Sequence, residues 1–164
     1  MCSSDLQARA DSAVNIHEVL ERVRIVVASE YSQGLEIETD YDASLPELRG
    51  DREQLIQVVL NLVQNAAQAL HGQGRIVLRT RIARQVAIGK GRHKLALDLH
   101  VIDNGPGIAD DIRDRIFFPL ISGREGGSGL GLSLAQSFVH QHGGIIECDS
   151  RPGLTDFRIL LPLP

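Results

Sequence analysis

Apolar residues recur along this chain with two different periods, and the switches between them mark out its elements. Ile16, Val19, Leu20, Val23 and Val27 share one face at helical spacing, and Asn15 with Glu18 has the form of a capping box, which predicts a helix ending near Ser29. Leu35, Ile37 and Thr39 alternate with Glu36 and Glu38, as in a short strand with one wet face. Residues 41–50 contain Pro46 and read as a loop. Asp51 then offers an N-cap carboxylate, with Gln54 at the third helical position, to a second and more apolar helix that runs to Leu70 and is closed by Gly72. Period two returns twice. Ile76, Leu78, Thr80 and Ile82 alternate with Val77, Arg79 and Arg81, while Leu95, Leu97, Leu99 and Val101 alternate with Ala96, Asp98 and His100. A basic, glycine-containing hairpin over residues 89–94 joins the two strands. A short helix over residues 110–116, a helix carrying Leu130, Leu134, Ala135, Phe138 and Val139, and strands at 145–148 and 155–161 complete the pattern. Strands linked mainly as hairpins make an α+β arrangement, a mixed, largely antiparallel sheet with helices on one face.

At 164 residues, the chain suits one domain over 14–164 preceded by a leader, linker or fragment edge over 1–13, where periodicity is lacking. Hydrophobic and charged residues make up 43% and 23%, ordinary values for a soluble domain, and no stretch reaches the roughly 18 apolar residues of a membrane span. The net charge of -4 sets this chain against nucleic acid as a partner. Cys2 and Cys148 lack CxxC spacing and a histidine cluster, so the expected setting is reducing and cytoplasmic.

Three features could carry chemistry. Asn61 and Asn65 lie four residues apart on one face of the apolar second helix, where a buried amide needs partners. Either they cap loop backbone, or their carbonyl oxygens hold a hard cation whose charge is balanced by phosphates. In Asp103-Asn104-Gly105-Pro106-Gly107-Ile108, alternation places Asp103 on the core face with Leu99 and Val101. Asp-Asn-Gly is also ordinary hairpin chemistry, but Pro106 blocks a return strand and Gly107 leaves backbone open to an approaching group. An inward carboxylate beside such a turn suits a ligand with an exocyclic amine, such as adenine. The run Gly126-Gly127-Ser128-Gly129-Leu130-Gly131-Leu132 enters a helix, and is either a hinge or a phosphate cradle. A dinucleotide fold would need a buried strand before those glycines; Phe117-Phe118-Pro119 and Ser122-Gly123-Arg124-Glu125 stand there instead. GxxxxGK[ST] is absent, which removes the P-loop.

In this order the pieces resemble the catalytic ATP-binding domain of bacterial sensor histidine kinases, of the Bergerat type shared with gyrase, MutL and the heat-shock ATPase chaperones. NLVQNA (61–66) is similar to the N box, DNGPGI (103–108) to the first glycine box, IFFP (116–119) to the F box and GSGLGL (127–132) to the second glycine box. The stretch FFPLISGREGGSGLGLSLA and the ending RPGLTDFRILLPLP look most like NtrB-type nitrogen-regulation kinases. The resemblance covers roughly residues 15–164 and implies a two-layer α/β sandwich.

It also implies roles. Asn65 and Asn61 would ligate Mg on the ATP phosphates, and Asp103 would accept from the adenine amine. Gly105 and Gly107 would shape the adenine pocket beside Ile108, Phe117 and Phe118 would anchor a lid, and Thr155 would reach the adenine side. Gly127, Ser128, Gly129, Leu130, Gly131 and Leu132 would lie along the phosphates. Gln68 stands where many such kinases carry a cation, leaving Arg124 either as the replacement phosphate contact or as a solvated loop charge. Asn61 replaces the glutamate of the hydrolysing relatives, and an amide is no general base, which favours phosphoryl transfer over hydrolysis. None of the six histidines, His17, His71, His93, His100, His140 and His142, stands in an acceptor motif. His17 is expected on a helix surface, and His140 and His142 in structural roles. The implied partners are a dimerisation domain bearing the acceptor histidine, an NtrC-type response regulator and a PII-type signal protein. The alternatives are a serine kinase of the anti-sigma-factor type and a binding module that transfers no phosphate.

Overall fold

The computed structural model describes residues 12–108, 116 and 129–164. Along the chain these form β1 (Ser12–Val14), α1 (Ile16–Glu30), β2 (Leu35–Asp40), β3 (Leu48–Gly50), α2 (Arg52–Ala69), β4 (Gly74–Ile88), β5 (Gly91–Asp103), α3 (Gly129–Gln141), β6 (Ile145–Arg151) and β7 (Leu154–Pro162). One five-stranded sheet has the order β2-β4-β5-β7-β6. Only its edge pair, β2 with β4, is parallel; the other ladders are antiparallel, two of them, β4–β5 and β6–β7, as hairpins. β1 and β3 form a separate antiparallel pair, Ser12 opposite Gly50. Neither short strand has a hydropathy signature. Ser12 and Ala13, at the end of the segment set apart as leader, linker or fragment edge, lie in a strand, and the loop expected over 41–50 ends in another.

The caps explain where the helices start. Asn15 Oδ1 accepts the His17 N–H at 3.0 Å, while Glu18 Oε2 takes Arg52 Nη1 at 3.2 Å. Glu18 thus pairs with the second helix and does not complete the expected capping box. Asp51 Oδ1 accepts from Glu53 and Gln54 backbone nitrogens at 3.0 and 3.2 Å, the cap read from the sequence. Left-handed His71 and Gly72 turn the chain out of α2 into β4. α2 packs between α1 and α3, and all three cover one face of the sheet. Their apolar stripes meet Ile76, Leu78, Leu97, Leu99, Val101 and Ile159 in a single core.

Two histidines hold these layers together. His142, just past α3, accepts the Asp51 N–H at Nε2 (2.9 Å) and pairs through Nδ1 with the Phe138 carbonyl at 2.8 Å, joining the end of α3 to the start of α2. His17 was expected on a surface. Instead its Nε2 meets the fully buried Thr80 hydroxyl at 2.9 Å and its ring stacks on Tyr41 at 4.6 Å, because Thr80 lies on the inward row of β4 directly below α1. Burial is the main influence on His17 and lowers its pKa, against the pull of the Asp42 and Glu21 charges.

The opposite face of the sheet is polar. Arg158 holds Asp98 through Nε (2.8 Å) and Nη2 (3.2 Å), and His100 lies between Asp98 and Asp156 at 3.0 and 2.8 Å. The hydrogen bond to Asp156, followed by the charges of Asp156 and Asp98, raises the His100 pKa. The β4–β5 ladder continues beyond the expected strand ends to Ile88 opposite Gly91, so the turn is confined to Gly89 and Lys90. Ile88, Ala96 and Leu160 form a second, smaller apolar cluster that supports this arm.

Candidate nucleotide site

Period two along β5 brings Asp103 to the core face, 4% exposed, with Leu99 and Val101 behind it. Its neighbours across the sheet are Ile76 on β4 and Thr155 on β7, and Thr155 is paired in turn with Ser150 on β6. Asp103, Thr155 and Ser150, all buried, form a polar row in an otherwise apolar layer. Ser150 Oγ and Thr155 Oγ1 are 3.4 Å apart. The backbone beyond Asp103 folds back over this row. Asp103 Oδ1 accepts the Gly105 N–H at 2.9 Å, and Ser150 Oγ accepts the Ile108 N–H at 2.6 Å.

The two glycines in that turn are required by space. A Cβ on Gly105 would sit 2.9 Å from Asp103 Oδ1 and 3.3 Å from Leu70 Cδ2. Gly107 has φ +87°, and a Cβ there would come 2.5 Å from the Arg151 carbonyl oxygen. Asn104 points elsewhere: its Oδ1 takes the Arg75 N–H at 2.9 Å, tying the turn to β4 beside a cleft of about 520 Å3 lined by Gly34, Leu35, Glu36, Gly74, Arg75 and Asn104. That cleft contains none of the residues singled out for the nucleotide.

α2 relates Asp103 to the asparagines. Ala69, in its last turn, lies 3.9 Å from where a Gly105 Cβ would be. Asn65 and Asn61 are four and eight residues before Ala69 on the same helix face, and each step of four residues is about 6 Å along the axis. Both asparagines are half-buried rather than enclosed, so they border accessible space. Asn61 Oδ1 accepts from Gln57 Nε2 at 2.9 Å. Among the described residues there is no group of three or more His, Cys, Asp or Glu side chains that could hold a metal ion.

Gly129, Leu130, Gly131 and Leu132 form the first turn of α3, so the second glycine box does enter a helix. Phe117, Phe118, Arg124, Gly127 and Ser128 lie outside the described residues, as does the short helix expected before Ile116, which is itself buried. Ser150 was not singled out in the sequence, although it shares the inward parity of Ile146 and Cys148 on β6.

Known proteins resemble this chain in both sequence and fold. Residues 50–164 match the family described as histidine kinase-, DNA gyrase B- and HSP90-like ATPase. The chain is 48% identical over 151 residues to the sensory histidine kinase/phosphatase NtrB of Vibrio alginolyticus and 49% identical over 150 residues to that of Escherichia coli O157:H7, in each case over 91% of this chain and 43% of the relative. It therefore spans less than half the length of these relatives. Among solved structures, the mycobacterial sensor histidine kinase MprB aligns with a TM-score of 0.76 at 30% identity, covering 93% of this chain and 97% of that one. Full-length ShkA in complex with AMPPNP aligns at 0.75 and 27% identity, over 93% of this chain and 31% of that one. No described helix is long and apolar enough to cross a membrane. A buried carboxylate at the end of β5, a glycine turn closed over it and a family profile spanning α2 to the last strand together make this chain a member of the histidine kinase-, gyrase B- and HSP90-like ATPase family.

Proposed function

We propose that this chain is the catalytic domain of an NtrB-type sensor kinase, binding Mg-ATP and passing the γ-phosphoryl group to a histidine on a dimerisation domain outside this chain. The observation that carries the reading is the line from Asp103 along α2: the adenine amine is accepted by a buried carboxylate, and the phosphates run past Ala69 toward Asn65 and Asn61. Amide oxygens suit Mg when the phosphates supply the negative charge. Gly105, Gly107 and Ile108 shape the adenine end, with Thr155 on its floor, and the first turn of α3 from Gly129 to Leu132 lies toward the phosphates. Phe117 and Phe118 anchor the lid, Gly127 and Ser128 lie along the phosphates, and Arg124 supplies the cation that Gln68 lacks.

In the transfer, an imidazole nitrogen of the acceptor attacks the γ-phosphorus and ADP leaves. The protein's part is to position the two and to offset charge. Amides at positions 61 and 65 provide no base for water, which directs the reaction to the histidine. The phosphoryl group then passes to a response regulator of the NtrC type, and a PII-type protein modulates the kinase; the near-half identity to proteins named NtrB supports this assignment over an anti-sigma-factor serine kinase.

Calorimetry tests the metal role: ATP affinity falls in a chelator, and Asn65→Ala removes most of that difference. Equal affinity with and without Mg excludes the asparagines as ligands. Incubated with labelled ATP, the chain alone stays unlabelled but labels a separately supplied acceptor domain from its parent, slowly and in proportion to acceptor concentration because the tether is missing. Acid-labile label on the chain itself contradicts the reading.

A further inference from the structure

Besides the tie from Asn104 to β4, the glycine turn is held at two points, of which only one belongs to the turn. Asp103 Oδ1 fixes the Gly105 N–H from within; Ser150 Oγ, on a strand two places across the sheet, fixes the Ile108 N–H at 2.6 Å. Between them stands Pro106, which has no N–H to contribute. Gly107, at φ +87°, is seated against the carbonyl of Arg151, the residue following Ser150. Consecutive residues at the end of β6 thus form the surface on which the turn rests. Ser150 also meets Thr155, its partner across the β6–β7 ladder, and Thr155 is the partner of Asp103. The hydroxyl is buried, so water does not readily replace it once removed.

We infer that Ser150 is a positioning residue for base recognition: its hydroxyl holds the Gly107–Ile108 backbone in the one arrangement that lets a purine with an exocyclic amine reach Asp103. It touches the turn rather than the nucleotide, and the inference rests on Asp103 being the adenine acceptor. Removing the hydroxyl loosens one wall of the base pocket while the asparagine face of α2 is untouched. Affinity for ATP then falls, and the preference for ATP over GTP narrows, because a relaxed turn discriminates less between an amine and a carbonyl at that position.

The test measures ATP and GTP affinities by competition against a fluorescent ATP analogue for this chain with Ser150→Ala, Ser150→Thr and Asp103→Ala. Amide hydrogen exchange and thermal unfolding without nucleotide are followed in parallel. Ser150→Ala is expected to weaken ATP roughly five- to tenfold, with a smaller loss for GTP. The Ile108 amide should exchange faster while amides in α2 and β5 keep their protection. Ser150→Thr, which keeps the hydroxyl, should restore the Ile108 protection and most of the ATP-over-GTP ratio. An unchanged ratio in Ser150→Ala, or equal loss for both nucleotides with protection lost throughout the sheet, overturns the inference and leaves a merely structural serine. Asp103→Ala separates the two failures: when it leaves ATP affinity unchanged, the assignment of the adenine end falls, whereas a large loss there beside a silent Ser150→Ala removes only the role of Ser150.

Discussion

Asp98 and Asp103 lie on the same strand but face opposite sides of the sheet, and their surroundings differ in kind. Asp98 is matched by side chains of its own and the adjacent strand, Arg158 and His100, in a network that water can reach. Asp103 is buried, and its Oδ1 is oriented by the backbone N–H of its own turn. A carboxylate held by partly exposed cationic side chains belongs to the surface electrostatics, where solvent can replace its partners. One held by backbone in a water-poor layer is pre-aimed, and a neutral donor arriving there finds an acceptor already in place. The outer face of the sheet thus tunes stability by charge, while the inner face combines packing with the recognition proposed for Asp103.

The largest expected effect concerns packing on the inner face. Leu99 is 1% exposed in the centre of β5, and Leu99→Ala should cost about 2 to 5 kcal/mol of unfolding free energy by denaturant titration. A loss as small as that of an outer-face substitution would break the distinction. Next is recognition. Asp103→Ala should weaken ATP by roughly ten- to a hundredfold, from the about 1.5 to 3 kcal/mol of a charge-assisted hydrogen bond, and Asp103→Asn should lose less because its amide oxygen still accepts. GTP should bind the unaltered chain poorly; equal affinities for ATP and GTP would contradict the assignment.

A third expectation sets the two partly buried histidines against each other. The folded pKa of His100 lies above its ordinary 6.5, so its contribution to stability is complete below that pH and is lost as pH rises through the folded value. That of His17 lies below 6.5, so its contribution is complete above that pH and is lost as pH falls through the folded value. Over about pH 5 to 8 the two oppose one another. Relative to the unaltered chain, His100→Gln should tilt unfolding free energy upward with pH and His17→Gln downward. Tilts of the same sign would show that one histidine is misassigned. The smallest effect belongs to the outer face: Arg158→Met should cost less than about 1 kcal/mol, and less still in high salt, as expected of an accessible ion pair. A loss as large as that of Leu99→Ala would merge the two faces.

Much of the site was legible because strand alternation is strict. Once Leu95, Leu97, Leu99 and Val101 are assigned inward, Asp103 must follow, and the Asp51 cap places α2 and both asparagines. Other parts left no pattern. β1 and β3 are three residues each, too short for a period to emerge, and exist because Ser12–Val14 and Leu48–Gly50 complete each other. Ser150 sits in a polar stretch, ECDSR, whose inward parity is visible only when β6 is registered against β7. His17 reads as a surface residue until Thr80, far along the chain, is brought beneath it. The extension of the hairpin arm depends on the small cluster of Ile88, Ala96 and Leu160, which draws on three strands' worth of sequence.

The position of His142 has a consequence for how α3 is coupled to α2. Because Nε2 receives a backbone N–H, the proton must reside on Nδ1, where it is given to the Phe138 carbonyl. The ring thereby behaves as a surrogate peptide unit, accepting on one side and donating on the other. It splices the hydrogen-bond ladder of one helix onto the N-cap amide of another that is distant in sequence. The opposite tautomer would set donor against donor and acceptor against acceptor, so the splice has a polarity, and Gly50, with no space for a Cβ beside the ring, keeps it in register.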